Sequence, residues 1–89
     1  MKDLSQQQLQ FPCEFLLKAM GAADSLQQQT VFAIAKKHIP ELQRQHLYQT
    51  SSKEGNYVSI TVSFTAQSQD QLKAIYQELL ACEQVITVL

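Results

Sequence analysis

The chain has 89 residues, enough for one small domain and not two. Its hydrophobic fraction of 45% excludes a disordered chain, and its charged fraction of 17% lies below the about 25% usual in globular proteins, with fifteen glutamines filling the gap. Seven basic and eight acidic residues give a net charge of −1, and Lys36-Lys37 is the only adjacent basic pair, so neither nucleic acid nor an anionic membrane is an expected partner.

Residues 1–10 are mostly polar, with Leu4 and Leu9 among glutamines, and read as a loosely held tail ahead of one domain over residues 11–89. The start has no apolar signal segment, and no run approaches the ~20 apolar residues of a membrane span, so a cytosolic protein is expected. In that compartment Cys13 and Cys82 stay reduced and pack as small hydrophobes.

Pro12 marks the start of a first strand running from Cys13 to Met20, with Gly21 ending it. Cys13, Phe15, Leu17 and Ala19 share one face; Glu14, Leu16, Lys18 and Met20 share the other. An apolar majority on both faces makes this a central strand. A helix over Ser25 to His38 follows, capped by Asp24 or Ser25, with Leu26, Val31, Ile34, Ala35 and His38 on its apolar stripe. Lys36, Lys37 and His38 complement the dipole of its last turn, and Pro40 stops it.

Glu41 to Arg44 connects to a polar edge strand over Gln45 to Ser51. Ser52 to Asn56 is a hairpin turn, in which Gly55 and Asn56 are expected to supply positive φ. In the third strand Val58, Ile60, Val62, Phe64 and Ala66 alternate with Tyr57, Ser59, Thr61, Ser63 and Thr65. One of its faces is wholly apolar and must meet helices, and the other is wholly hydroxyl-bearing. Ser68 and Gln71 fit a capping box for a second helix with Leu72, Ile75, Tyr76, Leu79 and Cys82 on its stripe, ending at Glu83 or Gln84. Val85 to Leu89 is a closing strand. The order βαββαβ with right-handed crossovers gives a ferredoxin-like α+β sandwich: a four-stranded antiparallel sheet with both helices on one face.

Several segments together resemble the YbeD-like family of small bacterial proteins. They are Phe11-Pro12 with Phe15, Lys18-Ala19-Met20-Gly21, His38 with Pro40, and Ser51-Ser52-Lys53. Gly55-Asn56-Tyr57, Ser59-Ile60-Thr61, Gln71-Leu72, Ile75-Tyr76, Leu79, Val85 and Val88-Leu89 continue the match to the last residue. The resemblance implies a ferredoxin-like fold similar to ACT-type regulatory domains, which pair and bind small effectors between subunits. It implies no known activity; genes of this family often lie beside lipoate-attachment genes. In the family pattern a lysine directly precedes the hairpin glycine. Here Glu54 intervenes, so no backbone role of that loop is carried over.

Two candidate surfaces emerge. The turn Ser51, Ser52, Lys53, Gly55 and Asn56 concentrates hydroxyls and an ammonium and has the makings of a small anion nest, although these are also ordinary turn residues. The open sheet face carries Lys18, Met20, Tyr57, Ser59, Thr61 and Ser63, with Leu16 adding apolar area suited to a partner. His38 and His46 form no ligand pair, since no HxxxH, HxH or CxxC spacing exists, so no metal and no cofactor is expected.

Relatives of the fold each require residues absent here. Acylphosphatases need an arginine and an asparagine around a phosphate loop, and the lone Arg44 lies in a connector without one. RNA-recognition domains stack bases on central-strand aromatics, where this chain offers hydroxyls with Tyr57 at one end. Metal chaperones need a CxxC loop after the first strand. Catalysis is therefore not expected. A regulatory or interaction module is, homodimeric through an edge strand and meeting a small-molecule effector or a protein partner.

Overall fold

The computed structural model describes residues 10–89. The tail expected over residues 1–10 falls almost wholly outside them. Alternation builds the centre of the sheet. β1 (Cys13–Ala22) and β3 (Tyr57–Ala66) are ten residues each and pair antiparallel over their full length, from Cys13 opposite Ala66 to Ala22 opposite Tyr57. β2 (Leu47–Ser51) flanks β3, β4 (Thr87–Val88) flanks β1, and both pairings are antiparallel, in the order β2-β3-β1-β4. With α1 (Gln28–His38) and α2 (Gln69–Ala81), this is the ferredoxin-like sandwich the element order implied.

The apolar face of β3 is fully used. Val58, Ile60, Val62, Phe64 and Ala66 are buried in one cluster with Leu17 and Ala19 of β1. Val31 and Ala35 of α1 and Leu72, Ile75 and Leu79 of α2 cover them. Phe15 and Phe64, opposite one another across the two long strands, meet edge to face at 6.0 Å between ring centroids. The connector after α1 also contributes, because Ile39 and Leu42 are each 1% exposed.

The structure corrects the sequence reading in six places. β1 does not end at Gly21 but runs through it to Ala22, and the chain then turns, with Ser25 and Leu26 N–H both donating to Ala22 O. That turn displaces the start of α1 to Gln28. Its N-cap is Gln27, with no side-chain bond, while Ser25 Oγ donates to Asp24 instead of capping. Gln45 and His46 belong to a single 3-10 turn over Arg44–His46 and not to β2; His46 Nδ1 accepts from Gln43 N–H at 3.1 Å and so closes it. In the hairpin only Gly55 has positive φ, at +79°; Asn56 does not. Finally, α2 ends at Ala81 with Cys82 as an extended C-cap, and β4 is only Thr87–Val88.

The second N-cap behaves as its sequence implies. Ser68 Oγ accepts from Gln71 N–H at 3.1 Å. The Gln71 side chain reaches Gln67 N–H in place of the cap residue's own and donates at its other end to His38 O, tying α2 to the end of α1. Glu78 adds a second tie, bonded to His38 Nε2 at 2.7 Å and to the Lys37 ammonium.

Candidate functional site

The sheet face without helices presents rows across the strands. Tyr48, Thr61 and Lys18 form one row; Thr50, Ser59, Met20 and Thr87 form the next. Leu16 with Ser63, and Glu14 with Thr65, continue it toward the far end. Lys18, Met20, Tyr57, Ser59 and Thr61 are thus brought together by the β1–β3 register as one surface. Leu16 is 63% and Tyr48 53% exposed on it. Tyr48 was missed by sequence reasoning, because only the β2–β3 register decides which face an edge residue takes.

The hairpin residues Ser51, Ser52, Lys53, Gly55 and Asn56 lie at one end of this face and are all exposed. Much of their polar capacity closes the turn. Ser52 N–H donates to Tyr57 O, Gly55 N–H to Ser52 O, and Tyr57 N–H to Ser52 Oγ. Asn56 O accepts from Ala23 N–H, which fastens the hairpin to the turn after β1.

The opposite end holds a feature no sequence argument found. β2 begins at Leu47, opposite Val62, so Ser63 to Ala66 of β3 extend beyond it. The connector and its 3-10 turn pass beside this overhang and leave a cavity of about 240 Å³. Its polar wall is Glu14, Glu41, His46, Ser63 and Thr65, and its apolar wall is Ile39, Leu42 and Phe64. Since His46 Nδ1 accepts a hydrogen bond, the neutral ring carries its proton on Nε2. The residues converge from four separate stretches of chain. The one local signal was His46 three residues after Gln43, the spacing of its capping contact.

Nearby cations are engaged elsewhere. Lys36 Nζ donates to Pro40 O at 2.7 Å and Leu42 O at 2.8 Å, completing the C-terminus of α1. The Arg44 guanidinium lies 4.8 Å over the Phe32 ring and bonds Gln29. Two groups are moved from their ordinary titration. Glu78 is lowered by hydrogen bonds from Lys37 and then His38, and burial raises the Tyr76 phenol. Neither lies on the open face or in the cavity lining. Among the described residues no three His, Cys, Asp or Glu side chains gather as metal ligands, and no helix is long and apolar enough to cross a membrane.

The family model described as "Protein of unknown function (DUF493)" matches residues 6–89. The chain belongs to the DUF493 family. Its relatives include a UPF0250 protein of Neisseria gonorrhoeae, 38% identical over 91% of this chain and 89% of that protein. A UPF0250 protein of Ectopseudomonas mendocina is 34% identical over 98% and 96% of the two chains, and one of Shewanella sediminis 40% over 91% and 90%. Among solved structures, that of protein HP0495 from H. pylori superposes with a TM-score of 0.69 at 13% identity, covering 98% of this chain and 91% of that one. At that identity the likeness concerns the fold, which the DUF493 chain and HP0495 share.

Proposed function

We propose that this chain is a non-catalytic docking module of the cytosol, ACT-like in acting by contact, that meets a protein partner on its open sheet face and pairs with a second copy along β2. The exposure of Leu16 and Tyr48 on a face rich in hydroxyls carries the reading. With the half-buried Met20 they add apolar area beside Lys18, and exposed apolar area of this kind suits contact with a partner. The cavity supports docking over metabolite sensing within one chain, because 240 Å³ is smaller than the about 300–1,000 Å³ of small-molecule sites. An enzyme of lipoate-related metabolism is the partner class the family's gene neighbourhoods suggest.

Pairing along β2 rests on its sequence. Leu47-Tyr48-Gln49-Thr50-Ser51 has no charge and no proline, the devices that normally protect a sheet edge. Since Ser52 pairs with Tyr57 by hydrogen bonds, alternation turns the N–H groups of Leu47, Gln49 and Ser51 outward.

Light scattering at tens of micromolar tests the pairing. The native chain is expected as a dimer and Gln49→Pro, which removes one outward N–H, as a monomer; a monomeric native chain refutes it. A photo-crosslinking residue at Thr61 tests the face in cells. Protein adducts are expected there and not from Lys73 on the exposed side of α2. Equal adducts from both, or none from Thr61, refute docking on the face.

A further inference from the structure

Both short strands pair at the same end of the sheet. β2 reaches only to Val62 of β3, and β4 pairs with Ala19 and Met20 of β1. At the other end Ser63 to Ala66 form an edge that β2 does not cover. The hydrogen-bonding phase follows from two observations. Lys18 exchanges both its backbone bonds with Leu89, so Lys18 opposite Thr61 is a non-bonded pair of the β1–β3 ladder. Ser52 donates to Tyr57 O, which sets Tyr57, Ser59 and Thr61 toward β2. By alternation the N–H and C=O of Ser63 and Thr65 also point to that side, where no strand of the described residues meets them. Among the described residues no backbone bond joins them to the connector.

We propose that this edge, with the cavity beside it, receives an extended, lysine- or arginine-bearing segment of a partner protein. The segment adds a short strand to β3 at Ser63 and Thr65 and places its cation between Glu14 and Glu41. Three features set this occupant. The bare backbone groups recognise extended main chain and not a folded surface. Glu14 and Glu41 line the cavity with no ion pair to a described cation, while Lys36 and Arg44 are engaged elsewhere, so among the described residues the negative charge of the site is uncompensated. Ile39, Leu42 and Phe64 supply an apolar wall for the methylene stem of a long basic side chain. The cavity's size suits one side chain. His46 Nε2–H offers a further donor to a main-chain carbonyl.

The proposal rests on the docking reading and adds to it a second point of contact with a defined chemistry. The test is selection of peptides from a displayed random heptapeptide library on the purified chain, followed by NMR titration of the selected peptide. A basic residue at one fixed position is expected, with shifts concentrated at Ser63 and Thr65. Glu14→Gln with Glu41→Gln is expected to weaken binding by about tenfold or more, with the loss reproduced in native protein by raising salt. Thr65→Pro removes an outward N–H without taking a bond from β1, so binding is expected to be lost while the melting temperature is kept. Selected peptides without a basic position, or binding indifferent to both variants, overturn the inference. Shifts centred on Lys18 and Thr61 overturn it while leaving docking on the open face standing. Failure to select any peptide overturns it as well, whereas the docking reading is judged separately by the crosslinks from Thr61.

Discussion

Replacing Gly21 with alanine tests how the C-terminal hook is held against the sheet. Gly21 is buried in β1 opposite Val58. A Cβ there overlaps the Gln84 carbonyl oxygen and comes within 2.9 Å of Leu26 Cβ. The oxygen is main chain, so it cannot rotate away; the segment carrying it must shift. That segment leads directly into the Ile86 N–H bond to Met20 O at 2.7 Å and the reciprocal Leu89–Lys18 bonds at 2.8 and 3.0 Å. Loosening these bonds, at roughly 0.5–1.5 kcal/mol each, together with crowding Leu26, gives an expected loss of about 3 kcal/mol. At about 4–8 °C per kcal/mol for a domain of this size, the melting temperature should fall by roughly 12–24 °C. Urea unfolding followed by circular dichroism measures the free energy directly. Gly55→Ala is the control: nothing lies near its Cβ, and only its φ of +79° resists, at about 1–2 kcal/mol. A Gly21→Ala variant within about 0.5 kcal/mol of the native chain would mean that the hook yields freely, and the close-approach argument would be wrong.

Ser68→Ala removes the acceptor of Gln71 N–H and should cost about 1 kcal/mol in urea unfolding, with no change in the denaturant dependence. Glu78 is held below the ordinary carboxylate range by Lys37 and His38, so its contribution to stability is complete above the unfolded carboxyl's pKa of about 4.3 and disappears as pH falls through the lower folded value. The stability gap between the native chain and Glu78→Gln should therefore be present above the carboxyl range and close in acid, and a gap that widens in acid would contradict the Lys37–Glu78–His38 tie. Ile60→Ala, at a fully buried position of the core cluster opposite Ala19, should cost about 2–5 kcal/mol by the same unfolding measurement.

What the sequence disclosed depended on whether a choice was local. β3 was legible to the residue because each side chain states its own face and the period of two is unbroken from Tyr57 to Ala66. The Ser68 cap was legible because the accepting hydroxyl and the donor, Gln71 N–H, lie three residues apart. β4 was not. All of Val85 to Leu89 favours strand, yet β1 accepts only Thr87 and Val88 in ladder register, with one bond from Ile86 before them and the reciprocal Leu89–Lys18 pair after them. The start of α1 was missed because Asp24 and Ser25 are good caps in isolation, while the reach of β1 through Gly21 spends them in a turn. Leu16, Lys18 and Met20 of the open face were legible from alternation in one strand; Tyr48 required a register between two. The cavity was beyond sequence reasoning altogether, since it exists through a difference in length between β2 and β3.

That difference organises the molecule. Two ten-residue strands form the spine, and strands of five and two residues clothe only the hairpin end. The bare end is a two-stranded ribbon, a structure marginal by itself. Here it is held from one side by helix packing on Phe15, Phe64 and Ala66, while no strand of the described residues covers its edges. Amide hydrogen exchange should expose this asymmetry residue by residue. Val58, Ile60 and Val62 N–H face β1 and are flanked by β2, so they should be among the slowest. Phe64 N–H, also directed at β1, should remain slow. Its neighbours Ser63 and Thr65 should exchange many times faster, although all three lie in the same continuous strand. Leu16 N–H should be fast for the same reason on the β4 side, against a protected Lys18 bonded to Leu89. Uniform protection from Ser63 to Thr65 would show that something already covers this edge, and the argument for a free strand-addition site would fail with it.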